Sequence, residues 1–121
     1  MNKEGLSIII PTYKTPNYLY ECLQSIIKQK VNFEYEILVR DDYSQDHSQI
    51  NIERVSYYHE KVKYYTPTEN WGFSKNISFL ISEAKGEYIV YLDTDDYWLI
   101  NHLENIEKQL NECDDLMKKK S

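Results

Sequence analysis

Residues 6–29, "LSIIIPTYKTPNYLYECLQSIIKQ", decide how the rest of the chain is read. Leu6 to Ile10 form a short, nearly all-apolar run that stops at Pro11, the pattern of a strand covered on both faces. Thr15 then offers a helix N-cap and Pro16 an N1 residue. Leu19, Cys22, Leu23, Ile26 and Ile27 follow at the spacing of an amphipathic helix. A buried strand that feeds directly into a helix is the opening of a βαβ unit.

The same alternation continues. "YEILV" (35–39) is the next strand and runs into the polar segment "RDDYSQDHS". Residues 48–58 predict a short helix, and "VKYY" (62–65) predicts a third strand stopped by Pro67. A loop with Asn70 and Gly72 precedes a helix carrying Ile77, Leu80, Ile81 and Ala84 on one side. Gly86 falls where a helix C-terminal glycine belongs. "EYIVYL" (87–92) is a fourth strand, and Leu99, Leu103, Ile106 and Leu110 mark a last helix over 99–118. The expected architecture is α/β, a Rossmann-like, mainly parallel sheet flanked by helices. In such sheets ligands bind beyond the carboxyl ends of the strands. The polar segments Pro11–Lys14, Asp41–Asp46, Asn70–Asn76 and Asp93–Asp96 all fall at those ends.

Composition narrows the function. The 121 residues suffice for a single domain, and 41% hydrophobic content is that of a folded chain. A net charge of −6 argues against a nucleic-acid groove, which needs a basic face. No apolar run approaches the roughly 20 residues of a membrane span, and the N-terminus lacks a signal-peptide pattern. Cys22 and Cys113 sit in no metal or redox motif and read as reduced thiols, which suits a cytoplasmic location. "KKK" at 118–120 leaves room for peripheral contact with the inner face of the membrane. His47, His59 and His102 have no metal spacing.

Chemistry concentrates in "YLDTDDYW" (91–98). In an extended segment residues i and i+2 point the same way, so Asp93 and Asp95 can face one ligand together. Hard oxygen ligands in small number suit Mg²⁺ or Mn²⁺ completing its shell with phosphate oxygens. Asp96 has a simpler alternative as a helix cap. An EF-hand is rejected because Trp98 stands where that loop needs glycine. Asp41 and Asp42 end the second strand, where a carboxylate can accept a base ring N–H or simply build an Asx turn. Neither a dinucleotide glycine motif nor a P-loop is present.

With these segments quoted, the sequence resembles the N-terminal, nucleotide-sugar-binding half of family 2 glycosyltransferases of the GT-A type. The matching pieces, in family order, are "SIIIPTYKTPNYLYECLQSIIKQ", "FEYEILVRDDYSQD", "ENWGFSKN" and "AKGEYIVYLDTDDYW". The resemblance implies a nucleotide-sugar-binding part over residues 6–98. On the family pattern Pro11, Thr12 and Tyr13 line the base pocket, and Asp42, with Asp41, contacts a uracil-type ring. Asn70 is carried over as a further nucleotide contact. Asp93 and Asp95 form the D-x-D metal site for Mn²⁺ or Mg²⁺, with Asp93 also near the ribose. Lys75 is carried over as a phosphate ligand, with a solvated lysine as the alternative. The donor implied is a UDP- or dTDP-linked sugar, and the acceptor a glycan or lipid-linked hydroxyl. The reaction implied by the resemblance is metal-dependent inverting transfer in polysaccharide or glycan biosynthesis, and a homodimer is compatible with it.

This sequence departs from the pattern at three places. The common "DDGS" is "DDYS" here, so Tyr43 replaces a glycine. The frequent Arg-Asn pair falls on Ile77 and Ser78, with Lys75 and Asn76 standing in for it. The acceptor half that normally follows the D-x-D segment, with its general base, is not found after Trp98. The expectation is therefore a truncated transferase domain over 1–121. Two other functions compete with transfer: a receiver-like signalling module and a nucleotide-sugar-binding piece without catalysis of its own. The receiver is disfavoured because its acidic pair should follow the first strand, and "SIIIPTYK" has none.

Overall fold

Four runs rich in Ile, Val, Leu and Tyr become four parallel strands, as β-branched and aromatic side chains favour. The computed structural model describes residues 5–14, 16–29, 31, 33–46, 53–54, 59–92, 106, 108–109 and 112. Its elements are β1 (Leu6–Thr12), α1 (Pro16–Ile27), β2 (Tyr35–Asp41), β3 (Val62–Tyr64), α2 (Phe73–Glu83) and β4 (Tyr88–Tyr91). The sheet order is β3-β2-β1-β4, with every neighbouring pair parallel. The chain steps outward from β1 to β3 and then returns to the other side of β1. That reversal, between β1 and β4, is the switch point at which open α/β sheets leave a crevice. A receiver-like order would put the third strand beside β1, so the topology removes that alternative.

Strand alternation sorts the core into two layers. Leu6, Ile8 and Ile10 of β1 join Ile37 and Val39 of β2 against Cys22, Leu23 and Ile26 of α1. On the opposite face Ile9 and Leu38 pack under Leu80 of α2. β1 is buried at every position, as its unbroken apolar run predicts. Of the expected last helix, Ile106, Lys108, Gln109 and Glu112 are helical, and Ile106 packs on the α1 side. Glu53 and Arg54 are helical within the expected 48–58 segment. The remainder of both helices, Thr15, Asp93, Asp95 and Asp96 lie outside the described residues.

Two sequence expectations are corrected. β1 does not stop at Pro11 but runs to Thr12, with Pro11 in register with Arg40. Proline is tolerated there because the β1–β4 pairing ends at Ile9, opposite Tyr91, and its last bond runs from the Leu92 N–H to the Ile9 carbonyl at 3.1 Å. Pro11 has no N–H to offer a following rung. Gly86, second, is not the helix-terminal glycine: α2 ends at Glu83 with Ala84 as its cap. Glycine is required at 86 because a Cβ would lie 2.6 Å from the Ser7 backbone nitrogen and 2.7 Å from its Oγ.

That close approach belongs to a polar clamp at the amino edge of the sheet. Glu36 of β2 accepts hydrogen bonds from Ser7 Oγ (2.6 Å), Lys63 Nζ (2.7 Å) and the Lys85 backbone N–H (2.7 Å). Gly86 N–H donates to Ser7 Oγ at 2.7 Å. The carboxylate thus fixes the turn that leads from α2 into β4.

Gly86→Ala is expected to destabilise the fold by about 1–3 kcal/mol, since backbone rather than a flexible side chain must move. A urea midpoint equal to wild type would contradict this. The clamp also sets a pH response. Burial would raise the Glu36 pKa, but the bonds from Lys63, Ser7 and Lys85 and the Lys63 charge outweigh it and hold it below its ordinary 4.5. A carboxyl lowered on folding confers stability that is fully present above 4.5 and is lost as pH falls through the folded value. Glu36→Gln should therefore lower stability at neutral pH and flatten the acid limb of the stability curve. An acid limb unchanged by the substitution would refute the assignment.

Candidate donor-binding site

The carboxyl ends of the strands bring the polar segments together. β1 ends in Pro11, Thr12 and Tyr13, β2 runs out into Asp42, and α2 begins after Gly72. These segments enclose a cavity of about 300 Å³ lined by Pro11, Thr12, Tyr13, Asp42, Asn70, Gly72, Phe73 and Asn76.

Its floor is a buried ion pair. Arg40 of β2 and Asp42, the residue just past its end, lie two positions apart in extended chain and so point to the same face. Arg40 is 1% exposed, and its Nη1 lies 2.8 Å from Asp42 Oδ1. The same nitrogen donates to Asn76 Oδ1 at 3.1 Å, and Nη2 donates to the Glu69 carbonyl at 3.0 Å. Asn76 returns a bond from Nδ2 to the Arg40 carbonyl at 3.1 Å. The indole of Trp71 lies 3.6 Å from the guanidinium carbon. A buried charge is tolerable only when its hydrogen bonds are met in this way.

Asp42 does as much on its own side. Oδ1 also accepts the Trp71 N–H at 2.8 Å, and Oδ2 accepts the Gly72 N–H at 2.8 Å. Its backbone carbonyl accepts Asn70 Nδ2 at 2.9 Å. The loop 69–72 is therefore folded onto the end of β2, and Gly72 takes the left-handed φ of +86° that lets α2 start there.

Asp41 points the other way. It is 1% exposed, and Ser44 donates to it from both its N–H (2.8 Å) and its Oγ (2.7 Å). Burial pushes its carboxyl pKa up; the two Ser44 bonds oppose this, and the charges of Asp46 and Asp42 add to it. Tyr64 shares this corner: its hydroxyl is buried and has no hydrogen-bond partner among the described residues. Burial, with the Asp41 and Glu53 charges, raises its pKa well above the ordinary range against the pull of Arg40. Ser44 Oγ also accepts the Lys14 N–H at 2.6 Å, which joins the turns after β1 and β2.

Of the residues singled out from the sequence, Pro11, Thr12, Tyr13, Asp42 and Asn70 line the cavity. Asp41 lies beside it on the α1 side of the sheet. Lys75 is exposed, with its Nζ 4.7 Å from the Trp71 ring centroid. Leu92, bonded to Ile9, is the last described residue before Asp93. Among the described residues no cluster of metal-ligating side chains occurs, and no helix is long and apolar enough to cross a membrane. Sequence reasoning missed Arg40 and Trp71, and took Asn76 only as half of a carried-over pair. The period-two spacing of Arg40 and Asp42 was the available signal.

The chain is similar to known proteins. A family model described as Glycosyl transferase family 2 matches residues 7–117. The chain is 33% identical over 111 residues to Glycosyltransferase GlyG of Streptococcus pneumoniae, covering 92% of this chain and 36% of that protein. TarS of Staphylococcus aureus in complex with UDP-GlcNAc superposes with a TM-score of 0.80 at 29% identity, over 89% of this chain and 31% of that one. A mannosyltransferase from Pyrobaculum calidifontis, in complex with GDP-Man and Mn²⁺, gives 0.68 at 26% identity, over 77% of this chain and 28% of that one. The chain thus spans about a third of the length of these relatives.

Removing either member of the ion pair strands the other in the core. Arg40→Ala and Asp42→Ala should each cost about 3–5 kcal/mol of stability. The double variant should cost well short of the sum. Additive losses in urea unfolding would show that the two charges are not coupled.

Proposed function

Because the chain belongs to glycosyl transferase family 2, matched over residues 7–117, we propose that it forms the donor-binding part of a glycosyltransferase. The observation that carries this reading is the cavity at the carboxyl edge of the sheet, walled by Pro11, Thr12, Tyr13, Asp42 and Asn70 from three separate segments. Its volume, about 300 Å³, is at the small end for a ligand pocket and suits one part of a nucleotide. Thr12 and Tyr13 contact the base and Asn70 the nucleoside. Asp42 acts on the base side of the pocket and, through the Trp71 and Gly72 N–H groups, holds the opposite wall in place.

The donor is a UDP- or dTDP-linked sugar, a reading supported by the UDP-GlcNAc complex of TarS. Asp93 and Asp95 hold a divalent ion; carboxylate oxygens are the donor set that Mn²⁺ and Mg²⁺ take. When bound, the ion supplies positive charge against the departing diphosphate. Lys75, at the first turn of α2, adds a cation for the same phosphates. The sugar is passed with inversion to an acceptor hydroxyl in polysaccharide assembly. Relatives named for poly(ribitol-phosphate) glycosylation point to a teichoic-acid-like acceptor. No residue of this chain is assigned as the general base.

Calorimetric titration of the 121-residue chain with UDP, dTDP, GDP and ADP tests the reading. UDP or dTDP should bind best, and Asp95→Asn should weaken Mn²⁺-dependent binding at least tenfold, about 1.4 kcal/mol. Equal UDP affinity in Mn²⁺ and in a chelator would remove the metal from the proposal, and no affinity for any nucleotide would remove the donor site.

A further inference from the structure

The turns that frame the cavity hold three side-chain-bearing residues in the left-handed region: Lys14 at φ +56°, Tyr43 at +63° and Gln45 at +59°. For a bulky residue such as tyrosine this conformation is unfavourable, and glycine would adopt it without strain. Tyr43 is the bulkiest of the three. It is 39% exposed, and among the described residues none hydrogen-bonds its hydroxyl or packs a ring on its own. The Ser44 bonds hold the turn itself, but a tyrosine ring at a glycine-like backbone position with no such partner directs attention to an external contact.

The position of Tyr43 says what that contact is. It lies between Asp42, which lines the cavity, and Ser44, whose Oγ accepts the Lys14 N–H at 2.6 Å. Tyr13, the residue before Lys14, lines the same cavity and is 47% exposed. The bond between the two turns therefore carries an exposed tyrosine immediately before each of its ends. Ser44 is itself fixed by its two bonds to buried Asp41, so the frame is rigid. One aromatic ring that lines the cavity and a second one residue from its Asp42 wall favour a flat, π-rich guest, which stacks on them.

We propose that Tyr43 is a binding residue that stacks on the nucleotide base at the cavity rim, opposing Tyr13. The proposal rests on the donor-binding reading above and deepens it: the base is held by an aromatic pair, of which one member is kept at a backbone position suited to glycine.

Tyr43→Gly and Tyr43→Phe, compared with wild type by UDP titration and thermal unfolding, decide the matter. Relief of the left-handed strain should raise the Tm of Tyr43→Gly by about 4 °C. Loss of the ring should weaken UDP binding by about fivefold or more in the same variant. Tyr43→Phe should bind as wild type does, because stacking needs the ring and not the hydroxyl. A Tyr43→Gly variant that binds UDP normally overturns the proposal while leaving the donor site intact. A lowered Tm, or an equal loss in Tyr43→Phe, also overturns it, since the side chain would then be acting through the fold or its hydroxyl. Wild-type protein that fails to bind UDP removes the donor-binding reading itself and this inference with it.

Discussion

The guanidinium of Arg40 is the group on which the site depends. It sits at the end of a central strand, fully removed from water, and makes bonds to β2, to the 69–72 loop and to α2. A charge in that position cannot be left unmet, so the three segments must assemble around it together. Asp42 completes the arrangement by spending its oxygens on backbone amides that would otherwise be orphaned at a helix start. The cavity wall is in this sense the outer side of a buried salt bridge. Its shape follows from electrostatic necessity more than from apolar packing.

β2 works along its length in the same manner. Its side chains on the α2 face run Glu36, Leu38, Arg40 and Asp42, with one apolar contact among three charged ones. Glu36 grips the turn after α2, and Asp42 grips the turn before it. The helix, which buries Asn76 and Leu80, is thus tied at both ends by carboxylates of one strand. The other face of β2 is given to Tyr35, Ile37 and Val39 in the main core. Neighbours Asp41 and Asp42, equivalent as letters, part to opposite sides of the sheet and meet different partners.

Much of the fold was legible because apolar periodicity reports burial directly. The run Leu6–Ile10 and the helical stripe after it were enough to announce a parallel sheet, and the carboxyl-end rule then located the cavity. What could not be read was which polar residues serve the protein and which face a ligand. Arg40 passed as the polar end of a strand, and Asn76 as half of a carried-over pair. Their roles arise from contacts 36 residues apart in sequence, which no local pattern encodes. Gly86 was read by local helix grammar, while its actual constraint is the backbone of β1. Pro11 was read as a stop because its missing donor is obvious; that the lost bond falls on the side where β4 has ended is a property of the assembled sheet.

The double tether of α2 also bears on how the molecule is made. Asp42 emerges during synthesis long before Trp71 and Gly72, and Glu36 long before Lys85, a separation of 49 residues. Until those amides arrive, both carboxylates must stay hydrated, and the strand that carries them cannot be sealed on its α2 face. Contacts of such long range close slowly, because chain entropy is spent before any bond forms. The α1 side draws most of its buried core from β1, α1 and β2 within the first 41 residues, and only Val62 and Leu92 of its buried members come later. A nascent chain halted before α2 would therefore hold a half-sheet with one apolar layer largely formed, short of Leu92 and its β4 neighbours, and the other face open.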